Sequence, residues 1–390
     1  MAPRPGGADP RPSGLSLDAA TRAAVCETVL GLDVWLDTMR RPGGYAGLVV
    51  HWWRDCLDYI GPGLDWRYEG IIIGYLNLWA GTGERRWLDK ARRAGDDLVV
   101  GQLPSGNFRN SQFELNPGTG GTPHEAACDL ALLRLAQAMR AANEERWAPY
   151  AHAAERNLAE YFIARLWDPK ARSFRDNAET PSFVPNKAAT LAEALLALAE
   201  HTGHSNWADQ YALPALDAVL AHQVRGGALD GAIYQNSFGP RRVAKFFPFY
   251  VARCIPGLLA AFELTADERY ADGAHRAARW VLSKQYPDGS YPQVVYPNGL
   301  VNRYPQWIAA TGDMLRTLGL ALGAEFDQRP TLRWLLAGRQ PSGAIRAATG
   351  FGRATLGAPL NDPRDHIAVA GWADKAFRCL TLLLSWSTAD

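Results

Sequence analysis

Net charge is almost absent from this chain. Its 390 residues carry 41 Lys plus Arg against 40 Asp plus Glu, a formal charge of +1, so no global positive field is available to hold a nucleic-acid backbone. A run of about 20 apolar residues, the length that spans a bilayer, is also missing. The most apolar stretches, such as Leu191 to Ala199, read as core helices. Cysteine is scarce. The five (Cys26, Cys56, Cys128, Cys254 and Cys379) are odd in number and scattered, with neither a Cys-x-x-Cys knuckle for zinc nor a disulfide framework. That usage predicts a reducing, cytoplasmic setting. The opening segment, Met1 to Gly14, is rich in Pro and Gly and lacks the apolar core of a secretory signal. Residues 1–15 are therefore expected to form a disordered arm, and 16–390 a single domain. No phosphate-cradling loop, dinucleotide fingerprint or serine nucleophile elbow occurs, so no metal and no cofactor are expected.

Aromatic residues are plentiful, with 14 Trp, 14 Tyr and 13 Phe, which excludes a disordered chain. They recur. Trp87, Trp147 and Trp207 are evenly spaced and Tyr270 follows at nearly the same interval, each just after a helix-breaking turn: Gly81-Thr82-Gly83, Ala142-Asn143, His201-Thr202-Gly203 and Thr265-Ala266-Asp267. Out of phase with these, Tyr45, Phe108, Phe174, Ile233, Tyr291 and Ile345 end the loops between helices. A repeat of this length holding two helical patterns is a helical hairpin. Six hairpins result. One helix of each (17–39, 85–102, 145–166, 205–223, 267–284, 328–338) has a charged face. The other (68–81, 124–141, 187–202, 247–264, 307–323, 371–386) is rich in Ala, Leu and Gly. Exposed and buried helices in alternation, without strand-type patterns, predict an all-α fold, the (α/α)6 toroid.

Links from exposed to buried helix are long, and all six would emerge on one rim. They carry Trp52, Trp53, Trp66, Arg109, Glu114, His124, Lys187, Tyr234, Arg242, Lys245, Arg303, Tyr304, Trp307 and Trp372. Indole faces stack on the C–H faces of sugars, and amides and charges bond hydroxyls. The predicted ligand is an oligosaccharide. The basic members Arg242, Lys245 and Arg303 suggest that it is anionic. Candidate catalytic carboxyls are Glu69 and Glu125, which open buried helices, and Asp313, set in an apolar stretch. A pair of carboxyls with separated pKa values can hydrolyse a glycosidic bond, although Glu69 and Glu125 also suit a helix N-terminus electrostatically.

The segment Trp66-Arg67-Tyr68-Glu69-Gly70-Ile71-Ile72-Ile73-Gly74-Tyr75-Leu76, followed by Thr82-Gly83 and Trp87-Leu88-Asp89-Lys90-Ala91, resembles the six-hairpin glycosidase superfamily, and within it the unsaturated uronyl hydrolases. The resemblance implies the toroid and a carbohydrate substrate, and it transfers no catalytic residue. Glycoside hydrolysis of an oligosaccharide containing a uronic acid is the leading expectation. β-Elimination or C5 epimerisation with Tyr304, Tyr234 or His124 moving the proton is the second. Two segments, Gln102-Leu103-Pro104-Ser105-Gly106-Asn107-Phe108 and Gln285-Tyr286-Pro287-Asp288-Gly289-Ser290-Tyr291, look like repeats of triterpene cyclases and protein prenyltransferases. The acidic and zinc motifs of those enzymes are absent, so the repeats read as turns fastening one hairpin to the next. A terpenoid cyclase or prenyltransferase-like toroid, or a non-catalytic glycan-binding protein, is the alternative from another class.

Overall fold

The computed structural model describes residues 7–10, 17–50, 57–112, 120–354 and 360–385; Trp52, Trp53 and Glu114 lie outside them. Six inner helices, Arg67–Thr82, Ala127–Ala141, Pro185–Thr202, Pro248–Thr265, Thr311–Leu322 and Ala370–Ser385, alternate along the chain with six outer ones, Ala19–Met39, Arg85–Val100, Ala148–Arg156, Leu213–Ala221, Glu268–Leu282 and Arg329–Leu336. Each inner helix packs on the next, and the sixth packs on the first, so the ring is closed. This is the expected (α/α)6 toroid. The strands among the described residues are two to four residues long and form small sheets within the connecting loops. No helix among the described residues is long and apolar enough to cross a membrane.

The inner helices bury nearly every side; residues 67–78 are buried without exception. Their ends are written in the breaker turns. Gly83, Asn143, Gly203 and Ala266 all adopt positive φ, the left-handed stop that closes a helix. Three turns share a further device. Thr82, Thr202 and Thr265 each donate to the carbonyl four residues back, to Leu78, Leu198 and Ala261. Each hydroxyl then accepts the amide two residues on, from Glu84, His204 and Asp267.

The Gln-x-x-x-Gly segments are fastening turns, as expected. The Gln102 amide donates to Gly106 O and, across the seam, to Ala153 O, both at 2.7 Å. Gln285 reaches Thr331 of the sixth outer helix at 2.6 Å. The glycine of each turn lies against the neighbouring outer helix: a Cβ on Gly106 would stand 3.0 Å from Arg156 O and one on Gly289 (φ +86°) 2.0 Å from Pro330 O, and in the similar turn Gln340-Pro341-Ser342-Gly343 one on Gly343 (φ +87°) would stand 2.4 Å from Gly31 O. Gly289→Ala should therefore cost about 2–4 kcal/mol, from left-handed strain plus overpacking. Gly299→Ala (φ +81°, with nothing within 4 Å of the new Cβ) meets only the strain, about 1–2 kcal/mol. Denaturant unfolding of the two variants measures the gap, and equal losses would refute the seam contact.

Within the segment expected to be disordered, Ala8 and Asp9 are buried, while residues 1–6 and 11–16 lie outside the described residues. The reason is a single charge: the Asp9 carboxylate pairs with Arg378 inside the ring.

Candidate functional site

The N-terminal ends of the inner helices converge at one end of the ring, and the side chains just before or inside their first turns form an aromatic wall. The Trp66 ring lies 4.7 Å from Trp372 and 5.0 Å from His124, and Trp372 lies 4.3 Å from Trp307. Phe249 closes the group against Trp307 and Trp372. Trp307 and Trp372 are buried, whereas Trp66 and His124 are only half-buried and so form the reachable edge. Of the expected binding residues, these four come together.

Beneath the wall lies a floor of buried ions. Arg253 donates to Asp313 at 2.8 Å, to Glu69 at 3.3 Å and to Thr190 at 3.3 Å. Lys375 donates to Glu69 at 3.0 Å and Asp374 at 2.8 Å, and its Nζ sits 5.2 Å from the Trp66 ring. Arg378 reaches Glu69 at 2.7 Å, and Arg316 reaches Asp313 at 2.9 Å. Close backbone approach makes this possible: a Cβ on Gly70 would meet Asp374 O at 2.3 Å, and one on Gly312 would meet Lys375 O at 2.6 Å. Burial alone would push Glu69 up, but Arg253, Lys375 and Arg378 outweigh it and hold the carboxyl well below its ordinary range. For Asp313, Arg253 and Arg316 do the same. Asp374 is the exception, pushed up to about 7 by burial despite Lys375. Glu69 and Asp313 thus do meet, on Arg253, but as fully paired anions closed off from solvent.

Glu125 is different in kind. It sits in the 3-10 turn Pro123–Ala126 that leads into the second inner helix. Burial pushes its pKa up to about 8, against the weaker pull of Ser111 and Lys187. Asp129, one turn on, is raised well above its ordinary value by burial, with Glu125 adding to it, even though it accepts from Asn157 at 2.8 Å. His124 moves the other way: burial, then Lys187 and Arg253, hold it well below its ordinary value, and its Nδ1 lies 2.5 Å from Thr122 Oγ1. At neutral pH the turn therefore holds a buried, protonated carboxyl next to a neutral imidazole. Lys187, in electrostatic reach of both, is itself tied to Asp176 at 2.7 Å.

The remaining expected residues stay on the outer part of the rim. Exposed Arg242 lies 5.4 Å from the Tyr234 ring. Exposed Arg303 stacks 4.5 Å from Tyr286 and pairs with Asp288 at 3.4 Å. Tyr304 accepts from Arg353 at 2.9 Å, Arg109 donates to Gly43 O at 3.3 Å, and Lys245 is exposed. The members of this buried floor that sequence reasoning passed over include Arg253, Arg316 and Arg378. Their signal was present: each is a cation inside an apolar helical run, and such a charge demands a buried partner.

Against known proteins, the profile of a family described as "Pectic acid lyase" matches residues 254–324. By sequence, no curated protein matches the chain. Among solved structures it is similar to a sugar epimerase from a ruminal bacterium (TM-score 0.67, 11% identity, 93% of this chain and 98% of that one). It is also similar to a D-mannose isomerase (0.65, 13%, 95% and 99%) and to the unsaturated glucuronyl hydrolase of Bacillus sp. GL1 (0.63, 15%, 93% and 96%). The chain has the six-hairpin toroid fold.

Proposed function

We propose that this protein is a carbohydrate-active enzyme, a glycoside hydrolase acting on an oligosaccharide that contains an acidic sugar. The observation that carries the reading is the turn at the mouth: a buried carboxyl held protonated at neutral pH, Glu125, whose chain neighbour His124 packs on Trp66 in a wall, with Trp372 and Trp307, on which a pyranose can stack. Glu125 is assigned the general acid that protonates the leaving oxygen. Glu69 and Asp313, expected as catalytic carboxyls, are assigned instead to the ionic floor that sets the shape of the site. The names of the similar structures, all of them sugar enzymes, agree with this class.

Neutral His124 favours a second reading on the same site: proton transfer at a sugar carbon, as in isomerisation, epimerisation or β-elimination, with His124 as base and Glu125 as acid. Incubation with mixed uronate oligosaccharides in deuterated water separates these outcomes. Hydrolysis yields new reducing ends without carbon-bound deuterium. Epimerisation or isomerisation places deuterium on carbon with chain length unchanged, and elimination gives an ultraviolet-absorbing product. Intact, unlabelled glycan after long incubation with micromolar protein would dismiss both.

Selection of the acidic group is assigned to Lys187, the cation in reach of His124 and Glu125, rather than to Arg242, Lys245 and Arg303 on the exposed rim. Lys187→Met should weaken binding of an acidic oligosaccharide by about 1.5–3 kcal/mol, the range for a hydrogen bond to a charged group. A neutral analogue should be nearly unaffected. Calorimetry on both ligands gives the comparison, and equal losses would return the role to packing.

A further inference from the structure

At the end of the ring opposite the aromatic wall, a chain segment enters the axis. A Cβ on Gly7 would meet Arg134 O and Ala138 of the second inner helix, and Asp9 then lies between the first, fifth and sixth. Its amide donates to Asn77 Oδ1 at 3.0 Å. Its carboxylate takes two bonds from the Arg378 guanidinium, at 2.7 Å from Nε and 2.6 Å from Nη2, and Arg316 stands 4.0 Å away. Asp9 is only 3% exposed. Asn77, Arg316 and Arg378 all belong to the middle or C-terminal parts of their helices, away from the candidate catalytic mouth.

This is the geometry of an anion receptor: a planar guanidinium presenting two parallel N–H groups to one carboxylate, with a second arginine behind it and little water. The receptor is made by the ring and filled by the chain itself. We propose that this far end of the toroid is a carboxylate-binding site, occupied in cis by Asp9, which a small free carboxylate takes when that side chain is removed. Arg378 faces both ways, holding Asp9 on one side and Glu69 on the other. The occupant therefore balances a cation that the ionic floor shares. An empty receptor would leave Arg378 and Arg316 buried with too little negative charge.

The test is Asp9→Ala in the full chain, with thermal unfolding followed in chloride buffer and in formate at equal ionic strength. The midpoint should fall by about 5 °C or more in chloride, as for one partner lost from a buried pair in a chain of this size. Formate should restore most of the loss along a saturating curve, whereas neutral formamide should not. In the double variant Asp9→Ala/Arg378→Met, formate should have no such effect. An unchanged midpoint in Asp9→Ala would overturn the proposal, and so would equal gains from formate in variant and native protein. The isosteric Asp9→Asn removes the charge but leaves an amide filling the receptor, so it should be destabilised without rescue by formate. If neither variant folds, native protein in molar formate decides the matter. Competition should speed hydrogen exchange of the Asp9 amide severalfold relative to molar chloride, and identical exchange would reject the site.

Discussion

Replacing Glu125 by Gln should stop turnover and make the protein more stable at the same time. A general acid contributes about 10²–10⁴ in rate, and an amide cannot give up the proton, so kcat should fall by that factor. Stability moves the other way because of where the proton sits. Glu125 has a pKa of about 8 in the folded chain and an ordinary value of 4.5 when unfolded. Below pH 4.5 both states hold the proton, and the folded state carries no penalty. Between pH 4.5 and 8 the unfolded chain releases the proton while the folded one keeps it, so stability falls steadily with rising pH and levels off above 8. At about 1.4 kcal/mol per pKa unit, the accumulated loss is on the order of a few kcal/mol. Gln never ionises, so Glu125→Gln should flatten this part of the profile and gain most at pH 8. Urea unfolding at pH 5 and pH 8 measures it. Parallel profiles for variant and native protein, or full activity in the variant, would remove Glu125 from its assigned role.

Arg253→Met should be the most damaging single change in the axis. It removes a buried cation from two carboxylates at once, Asp313 and Glu69, and such a loss costs about 3–5 kcal/mol. The deficit should depend on pH with the opposite sign to that of Glu125. Both carboxyls are held below their ordinary values in the native protein. The stability they contribute is present above the ordinary carboxylate range and is lost as pH falls through their folded values. The gap between native protein and Arg253→Met should accordingly be widest near neutrality and narrow in acid. Lys at 253 keeps one charge without the fork and should recover only part of the loss. A gap that stays constant down through the acid range in which the two carboxyls titrate would mean that volume, not charge, is what Arg253 supplies.

The hairpin count and the closed ring were legible because the residues responsible are local. Trp87, Trp147 and Trp207 mark the entry to successive outer helices, and each breaker turn ends an inner helix with a residue at positive φ. Trp66, His124, Trp307 and Trp372 were legible as a group for the same reason: each lies at the start of an inner helix, and those starts share one end of the ring. The ionic floor was not. Arg253 finds Glu69 across 184 positions and Arg378 finds it across 309, and no spacing rule connects residues so far apart. Asp9 was not legible as a partner because Pro and Gly dominate its neighbourhood, while the Arg378 it meets stands 369 positions away. Lys245 and Arg303 lie in irregular loop stretches, where no helical or strand period dictates which way a side chain faces, and Arg242 lies in the three-residue strand Arg241–Val243, too short for a period to be read.

The closing seam has a consequence for how such a chain reaches its native state. Seams between consecutive hairpins are short-range, like the bonds from Gln102 to Ala153 and from Gln223 to Gly273, which span 51 and 50 positions. The seam that brings Gly343 against Gly31 carries the Arg339–Glu27 pair, which spans 312. By the logarithmic dependence of loop entropy on length, that single contact costs roughly 1.5 kcal/mol more to bring together than either of those two. It also returns nothing until the helices between are stacked in register. Hairpins can therefore condense in sequence as an open arc, with the last docking on the first as the slow, concerted step.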